Sequence, residues 1–388
     1  MKRRSKYLYF HRPWIGPEEK REIIKCLDSG WLTTGPKTKE FEKRFAKAIG
    51  VKHAIALNSC TAGLHLSLIG LNIGPGDEVI TTPLTFVASA NVIVHAGARP
   101  VFADVDPRTG NIDPGRIVRA LTKKTKAILA VHYAGHPCDM AAIGKIAKAR
   151  KLAVIEDAAH AAESEYRGNR CGRFGRTASF SFYATKNMTT GEGGMLVTND
   201  SRLANRLRVL SLHGMDQDAW NRYSADAPAA GSFLKVEEPG YKYNMSDLQA
   251  SLGLHQLSKL ERFWKRRRDI VLRYRRELSG IPSFRLLEDV GDVKNGYHLM
   301  PLFLTRKAML TRIQVLQAFK KWNIGVSVHF DCVHLQPFYR KKYGTRPGDC
   351  PVAEEMGSGA VSLPLYPLMS DADVRYVIGV TRHIFSAP

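Results

Sequence analysis

The chain has 388 residues, 44% of them hydrophobic and 24% charged, which suits a soluble protein long enough for two packed cores. No apolar run approaches the roughly 20 residues that a membrane-spanning helix needs, and the six cysteines form no CxxC pair, which argues against a disulfide framework and a structural zinc site. The net charge of +22 leaves phosphates, nucleic acid and anionic surfaces open as partners.

The N-terminal MKRRSKYLYF starts like a secretory signal, but His11, Arg12 and Pro13 interrupt its short apolar stretch; we read it as mature protein in a reducing cytoplasm. Helices are predicted over Glu18 to Leu27 and Lys39 to Ile49. From about residue 50 to 200, seven β-rich runs (HAIAL, DEVITT, RPVFADV, KAILAVH, LAVIED, ASFSF, GMLVT) alternate with amphipathic stretches, predicting an α/β sheet covered by helices. After Ser246, Leu257, Leu260, Trp264, Val271, Tyr274 and Leu278 recur at helical spacing until Gly280 and Pro282 end the run. Strand-like HLMPLFL and IGVSVHF around a helix near Arg312 to Trp322 then suggest a compact α+β domain. The division is a large domain over 1–250 and a linking helix with a small C-terminal domain over 251–388.

The strand LAVIED ends on Glu156 and Asp157, at the sheet edge where ligands usually bind in this architecture. Further on, SFSFYATKN places Ser181 at a strand end and Lys186 in the following loop, before the tight turn Gly191 to Gly194. In SCTAGLHLSL, Ser59, Cys60 and Thr61 precede an apolar helix, so the backbone donors of Thr61 and Ala62 can meet a phosphate. An aldehyde anchor, a pyridinium partner and a phosphate cup are what pyridoxal 5'-phosphate requires. Lys186 would bond the aldehyde and shuttle a proton, and Asp157 would hold the ring nitrogen protonated. Taken singly, the aspartate also suits a helix cap, the lysine a solvated surface, and the Ser/Thr pair an ordinary N-cap.

The runs WLTTGPKTKEFE, NSCTAGLHLSL, ITTPLTFVASAN, HYAGHPCDM, VIEDAAHA, FSFYATKNMTTGEGG and PGYKYNMSDLQASLGLHQL, in that order over nearly the whole chain, resemble the DegT/DnrJ/EryC1/StrS family of sugar-nucleotide aminotransferases. The resemblance implies the aspartate aminotransferase type I fold and a homodimer with shared active sites. It implies Lys186 as the covalent anchor, Asp157 at the pyridine nitrogen, His160 near the ring oxygen, Thr61, Ala62 and Ser181 at the phosphate, and Phe86 against the ring face. Asn244 would reach the neighbouring subunit's phosphate. Here the chain departs from the GYNYR of many relatives, reading Gly240-Tyr241-Lys242-Tyr243-Asn244, with Lys242 taken as a surface residue.

The implied reaction moves nitrogen from glutamate, leaving 2-oxoglutarate, to a keto-sugar carried on a nucleotide diphosphate. HYAGHPCDM, EDAAHAAESEYRG and VHFDCVHLQPFY resemble the branch that makes UDP-4-amino-4-deoxy-L-arabinose, a sugar of lipid A and lipopolysaccharide modification. That likeness implies a UDP-linked 4-keto-pentose as substrate, with His329, less firmly His334, and Trp31 near it. Phe86 stands where that branch has tryptophan, which keeps a UDP- or dTDP-linked keto-6-deoxy-hexose open. Same-fold dehydratases carry histidine at the anchor, so Lys186 argues against that activity. A non-catalytic paralogue using its basic surface on nucleic acid or membrane is the rival of another class; the basic residues (Lys123 to Lys126, Lys265 to Arg268, Arg340 to Lys342) are scattered and form no recognisable nucleic-acid motif.

Overall fold

The computed structural model describes residues 2–215 and 235–386. Two helices, α1 (Pro17–Asp28) and α2 (Pro36–Ile49), open the fold. They are followed by β1 (His53–Leu57), α3 (Cys60–Gly70), β2 (Glu78–Thr81), α4 (Ala88–His95), β3 (Arg99–Phe102), α5 (Pro114–Ala120), β4 (Thr125–Val131), α6 (Met140–Arg150) and β5 (Ala153–Asp157). The short β6 (Glu165–Tyr166) and β7 (Asn169–Arg170) precede β8 (Thr177–Ser181), β9 (Gly194–Thr198) and α7 (Ser201–Ser211).

All seven β-rich runs become strands of one sheet, in the order β1-β9-β8-β5-β4-β2-β3. The pairs β8/β5, β5/β4, β4/β2 and β2/β3 are parallel, whereas β9 runs antiparallel to both of its neighbours. Such a sheet is buried on both faces, which is why its strands read as apolar runs rather than alternating ones. The carboxyl ends of β5 and β8 lie side by side, and antiparallel β9 starts at that edge. The close approach there needs glycine: a Cβ on Gly194 would come 2.4 Å from the Ser59 backbone, and one on Gly63 would come 2.2 Å from Ser179 Oγ.

The periodic run after Ser246 forms α8 (Asp247–Leu278), capped by Ser246, whose hydroxyl and backbone pair reciprocally with Gln249. Its first half packs Ala250, Leu254 and Leu260 against Phe41 and Phe45 of α2. Its second half sends Ile270, Val271, Tyr274 and Leu278 into another core. That core belongs to β10 (Phe284–Leu286), β12 (Met300–Leu304) and β13 (Ala360–Leu363), an antiparallel three-stranded sheet, and the helices around it. β11 (Val293–Lys294) pairs instead with β6. The remaining helices are α9 (Arg312–Lys321), α10 (Pro337–Tyr343), α11 (Pro351–Gly359) and α12 (Asp371–Ser386).

One expectation fails. IGVSVHF forms no regular strand; only Ile324 bridges to Leu8, and Ser327 to Ser362. Its apolar residues serve different places: Ile324 enters the α8–β12 core, whereas Phe330 packs with Tyr133 and Cys332. A segment whose side chains are claimed by two cores and a cavity cannot keep one straight register. The strand that pairs in its stead is the short AVSL of β13.

Asp247, almost wholly buried at the start of α8, accepts the backbone N–H groups of Gly35 (2.8 Å), Thr38 (2.9 Å) and Lys37 (3.1 Å), and the Thr38 hydroxyl (2.6 Å). One carboxylate thereby satisfies the first turn of α2, whose donors have no partners within their own helix. Asp247→Ala should destabilise the chain by about 3 kcal/mol, because several buried donors lose their acceptor together. Urea unfolding checks this, and a loss below about 1 kcal/mol would contradict the anchoring role.

Candidate active site

The carboxyl ends of the central strands open into a cavity of about 500 Å³, a size suited to a small organic ligand. Lys186, Asp157, His160, Ser181, Thr61, Phe86 and His329 all line it. Residues far apart in sequence therefore converge as expected. Ala62 lies just behind, in the first turn of α3, where its N–H donates to Ser59 Oγ at 3.1 Å. The capping reading of that serine is thus real. It leaves the Thr61 N–H at the helix start, where no intrahelical acceptor exists and the dipole favours an anion.

Asp157 ends β5 on the cavity floor. Its Oδ2 accepts from Ser89 Oγ at 2.8 Å, that hydroxyl lies 2.8 Å from Thr85 Oγ1, and Oδ1 accepts the Ala159 N–H at 3.1 Å. Burial raises the carboxyl's affinity for its proton, against the lowering effect of Ser89. Lys186 follows β8 in a loop, and burial pushes its amine down to about 8. A depressed lysine is available as free base near neutral pH, and its coincidence with a buried carboxylate in a cleft marks a chemically prepared site.

Four imidazoles ring the amine: His11, His160, His298 and His329. Burial first, then the Arg267 and Lys186 charges, pushes His11 down to about 4, and burial with the Lys186 charge does the same to His329. His160 and His298 shift the same way, also through burial first. These two rings pack 4.3 Å apart, and His160 Nδ1 is buried without a hydrogen-bond partner. His329 is oriented by Ser362, whose hydroxyl lies 2.9 Å from its Nδ1. Phe86 stands at the mouth, 59% exposed, with its ring near Phe330.

The donor set fits pyridoxal phosphate. A buried amine, a floor carboxylate, a helix N-terminus beside Ser181, and the unpartnered His160 nitrogen answer respectively to an aldehyde, a ring nitrogen, a phosphate and a ring hydroxyl.

Three expected residues sit elsewhere. Asn244 donates to Thr34 Oγ1 at 2.7 Å, and Trp31 Nε1 donates to Thr34 O at 3.2 Å, so both gather around Thr34 outside this chain's own cavity. Lys242 is exposed and donates to Asn244 Oδ1 at 2.6 Å. His334 is buried away from the cavity, with Nε2 3.0 Å from Glu354. Conversely, His11, His298, Ser89 and Phe330 were not singled out from sequence. Ser89 lies in ITTPLTFVASAN, three residues past Phe86 in the first turn of α4, and that closeness is a usable signal; the isolated histidines carried none.

Beneath the sheet edge, His132, Glu156 and Cys171 cluster closely enough to hold a metal ion. The hydrogen bonds of His132 and Glu156 are already committed. Glu156 accepts the N–H groups of Gly172, Phe174 and Gly175 and faces His132 Nε2 at 3.1 Å, while His132 Nδ1 accepts the Cys138 N–H. The ring proton therefore sits on Nε2, leaving no lone pair for a metal.

The sequence pattern of the DegT/DnrJ/EryC1/StrS aminotransferase family matches residues 13–382. The chain is 50% identical over 387 residues to the spore coat polysaccharide biosynthesis protein SpsC of Bacillus subtilis, covering 99% of this chain and 98% of that one. Among solved structures it resembles Helicobacter pylori PseC, an aminotransferase involved in the biosynthesis of pseudoaminic acid (30% identity, TM-score 0.90, 98% and 99% of the two chains). It also resembles the PMP form of the putative sugar aminotransferase Spr1654 of Streptococcus pneumoniae (33% identity, TM-score 0.90, 97% and 98%). Among the described residues no helix is long and apolar enough to cross a membrane.

The cavity histidines set a pH dependence. Their folded affinities lie below the ordinary value of 6.5, so between about 6.5 and 4 the unfolded chain binds protons that the folded chain refuses. Stability is complete above pH 6.5 and is lost as pH falls. The thermal midpoint of His11→Gln/His329→Gln should decline less than that of wild type between pH 7 and 4.5; parallel profiles would contradict the assignment.

Proposed function

As a member of the DegT/DnrJ/EryC1/StrS aminotransferase family, the chain is a pyridoxal-phosphate-dependent sugar aminotransferase, and we propose that it transfers the amino group of glutamate to C4 of a UDP-linked 4-keto-pentose. The observation that carries the reading is the convergence of a buried lysine amine, lowered to about 8, and a buried carboxylate on one cavity.

When bound, pyridoxal phosphate supplies an aldehyde that carries nitrogen and a ring that draws electrons from the carbon losing its proton. The residues of the chain do the rest. Lys186 holds the cofactor between turnovers and, once released, moves a proton to and from the substrate carbon; its depressed basicity makes it effective near neutrality. Asp157, oriented by Ser89, holds a proton at the ring nitrogen. Thr61 N–H, with Ala62 behind it, and Ser181 receive the phosphate at the start of α3, where the helix dipole favours negative charge. His160 meets the ring oxygen through the imidazole nitrogen that has no partner in the protein. Phe86 covers one ring face.

His329, fixed by Ser362, faces the sugar from the small-domain side. Because Asn244 and Trp31 share Thr34 rather than the chain's own cavity, we assign them to the neighbouring site of a homodimer, Asn244 at its phosphate and Trp31 at its substrate. The 1–250 and 251–388 division fits this scheme, with α8 as the connecting element.

The second reading keeps the chemistry and changes the sugar. Phe86 stands where the pentose branch has tryptophan, and its smaller ring leaves room for a UDP- or dTDP-linked 6-deoxy-hexose. Comparing kcat/KM for the UDP-4-keto-pentose and the 4-keto-hexoses with glutamate decides between them. The pentose should lead by about tenfold or more, the discrimination that one extra carbon substituent typically yields. A preference for a 3-keto-sugar or a dTDP-linked hexose would overturn the substrate while leaving transamination in place.

A further inference from the structure

Directly behind the Lys186 loop lies a buried ion pair that the reaction does not use. Arg267 projects from α8 and Glu163 from the turn after β5; both are almost wholly buried. Arg267 Nη2 donates to Glu163 Oε1, and its Nε donates to the Tyr297 carbonyl at 3.1 Å. The other carboxylate oxygen of Glu163 accepts from Asn187 Nδ2, on the residue next to Lys186. The same Asn187 nitrogen reaches the Gly296 carbonyl at 3.3 Å.

The segment 296–298 is itself tied down. Gly296 N–H donates to the Gly135 carbonyl at 2.9 Å, His298 N–H donates to Ala134 O at 2.9 Å, and a Cβ at Gly296 would come 2.6 Å from Ser164 Oγ. The Glu163 carboxylate thus ties its own turn, which bears His160, to the lysine loop through Asn187 and to α8 through Arg267, and these two partners in turn hold the Gly296 and Tyr297 carbonyls next to His298.

A buried ion pair adds little net stability, because desolvation offsets its attraction, but breaking it leaves an uncompensated charge. That charge would lie beside the lysine loop, because Asn187, which bonds the Glu163 carboxylate, is the residue next to Lys186. Arg267 already acts on His11, which lines the same cavity. The groups facing Lys186 are Cys60 from α3, whose thiol burial keeps protonated, Asp157 from β5, whose charge favours the ammonium form, the neutral imidazoles of His11, His160, His298 and His329, and Glu192 from its own loop.

Resting on the assignment of Lys186 as the cofactor anchor, we propose that Glu163 and Arg267 are positioning residues for that lysine. Their pair, joined to Asn187 through the Glu163 carboxylate, holds the Lys186 loop against α8 and neutralises the Arg267 charge behind the cavity.

The test uses the full chain free of cofactor. The rate at which acetic anhydride labels Lys186 is followed by mass spectrometry across pH, giving the midpoint at which the amine becomes free base. In wild type this lies near pH 8, as burial dictates. Glu163→Gln should lower it by about one pH unit, since an unbalanced cation then faces the amine. Arg267→Met leaves the carboxylate alone and should raise it by a similar amount. The double variant should return to within about 0.3 of wild type, because both charges are gone. Reduced thermal stability with unmoved midpoints in both single variants would reduce the pair to a structural role and overturn the proposal. Should Glu163→Gln not fold, Arg267→Met alone decides. The labelling needs no cofactor, so failure of the anchor assignment is read separately, from whether wild type retains pyridoxal phosphate at Lys186.

Discussion

A primary amine and a carboxylate held out of water in one cavity are the constraint on which the rest of the structure depends. Burying either group alone would be costly, and each would simply titrate to its neutral form. Here Lys186 and Asp157 face each other across a cleft, with burial pressing both toward neutrality and their mutual attraction resisting it. Lowered to about 8, the lysine has its free base within reach near pH 7, as proton-transfer chemistry requires. The surroundings preserve it. Ser89 and the Ala159 amide satisfy the carboxylate, and the four imidazoles stay uncharged, so they offer hydrogen bonds without competing for the negative charge.

The fold supplies that environment through sheet polarity. Parallel β5 and β8 deliver Asp157 and Ser181 to the same edge, β1 feeds α3 there, and β9 begins at that end. The glycines at 63 and 194 permit the close approach of α3 to the sheet. From the other side, α8 carries a second core that presents 296–298 and 327–330 to the cavity. The site is therefore a seam between two cores, and the Glu163–Arg267 pair is one of its stitches.

Much of this was legible in the sequence, for physical reasons. The seven central strands are buried on both faces and so appear as continuous apolar runs between helical segments. The α8 stripe keeps one face over many turns, so its periodicity is unmistakable. Lys186, Asp157 and Ser181 sit at strand ends or just beyond, where sheet architecture exposes side chains. IGVSVHF misled because its alternating composition imitates a strand, while its side chains are divided among cores and cavity. His11 and His298 were invisible for a different reason: nothing near either residue in sequence signals a site, and only the packing of the N-terminal segment and of 296–298 against the lysine loop brings them there. Trp31 and Asn244 were picked out as site residues, yet they meet at Thr34, outside this chain's own cavity, which no local sequence signal foretells.

The central claim is that Lys186 is the residue that bonds pyridoxal phosphate. Borohydride reduction of the loaded wild-type chain, followed by proteolysis and mass spectrometry, tests it most directly. The account predicts one pyridoxyl phosphate group per chain, on the peptide containing Lys186, with the visible absorbance lost on reduction. A label on any other lysine, or a reduced chain that carries none, would contradict it.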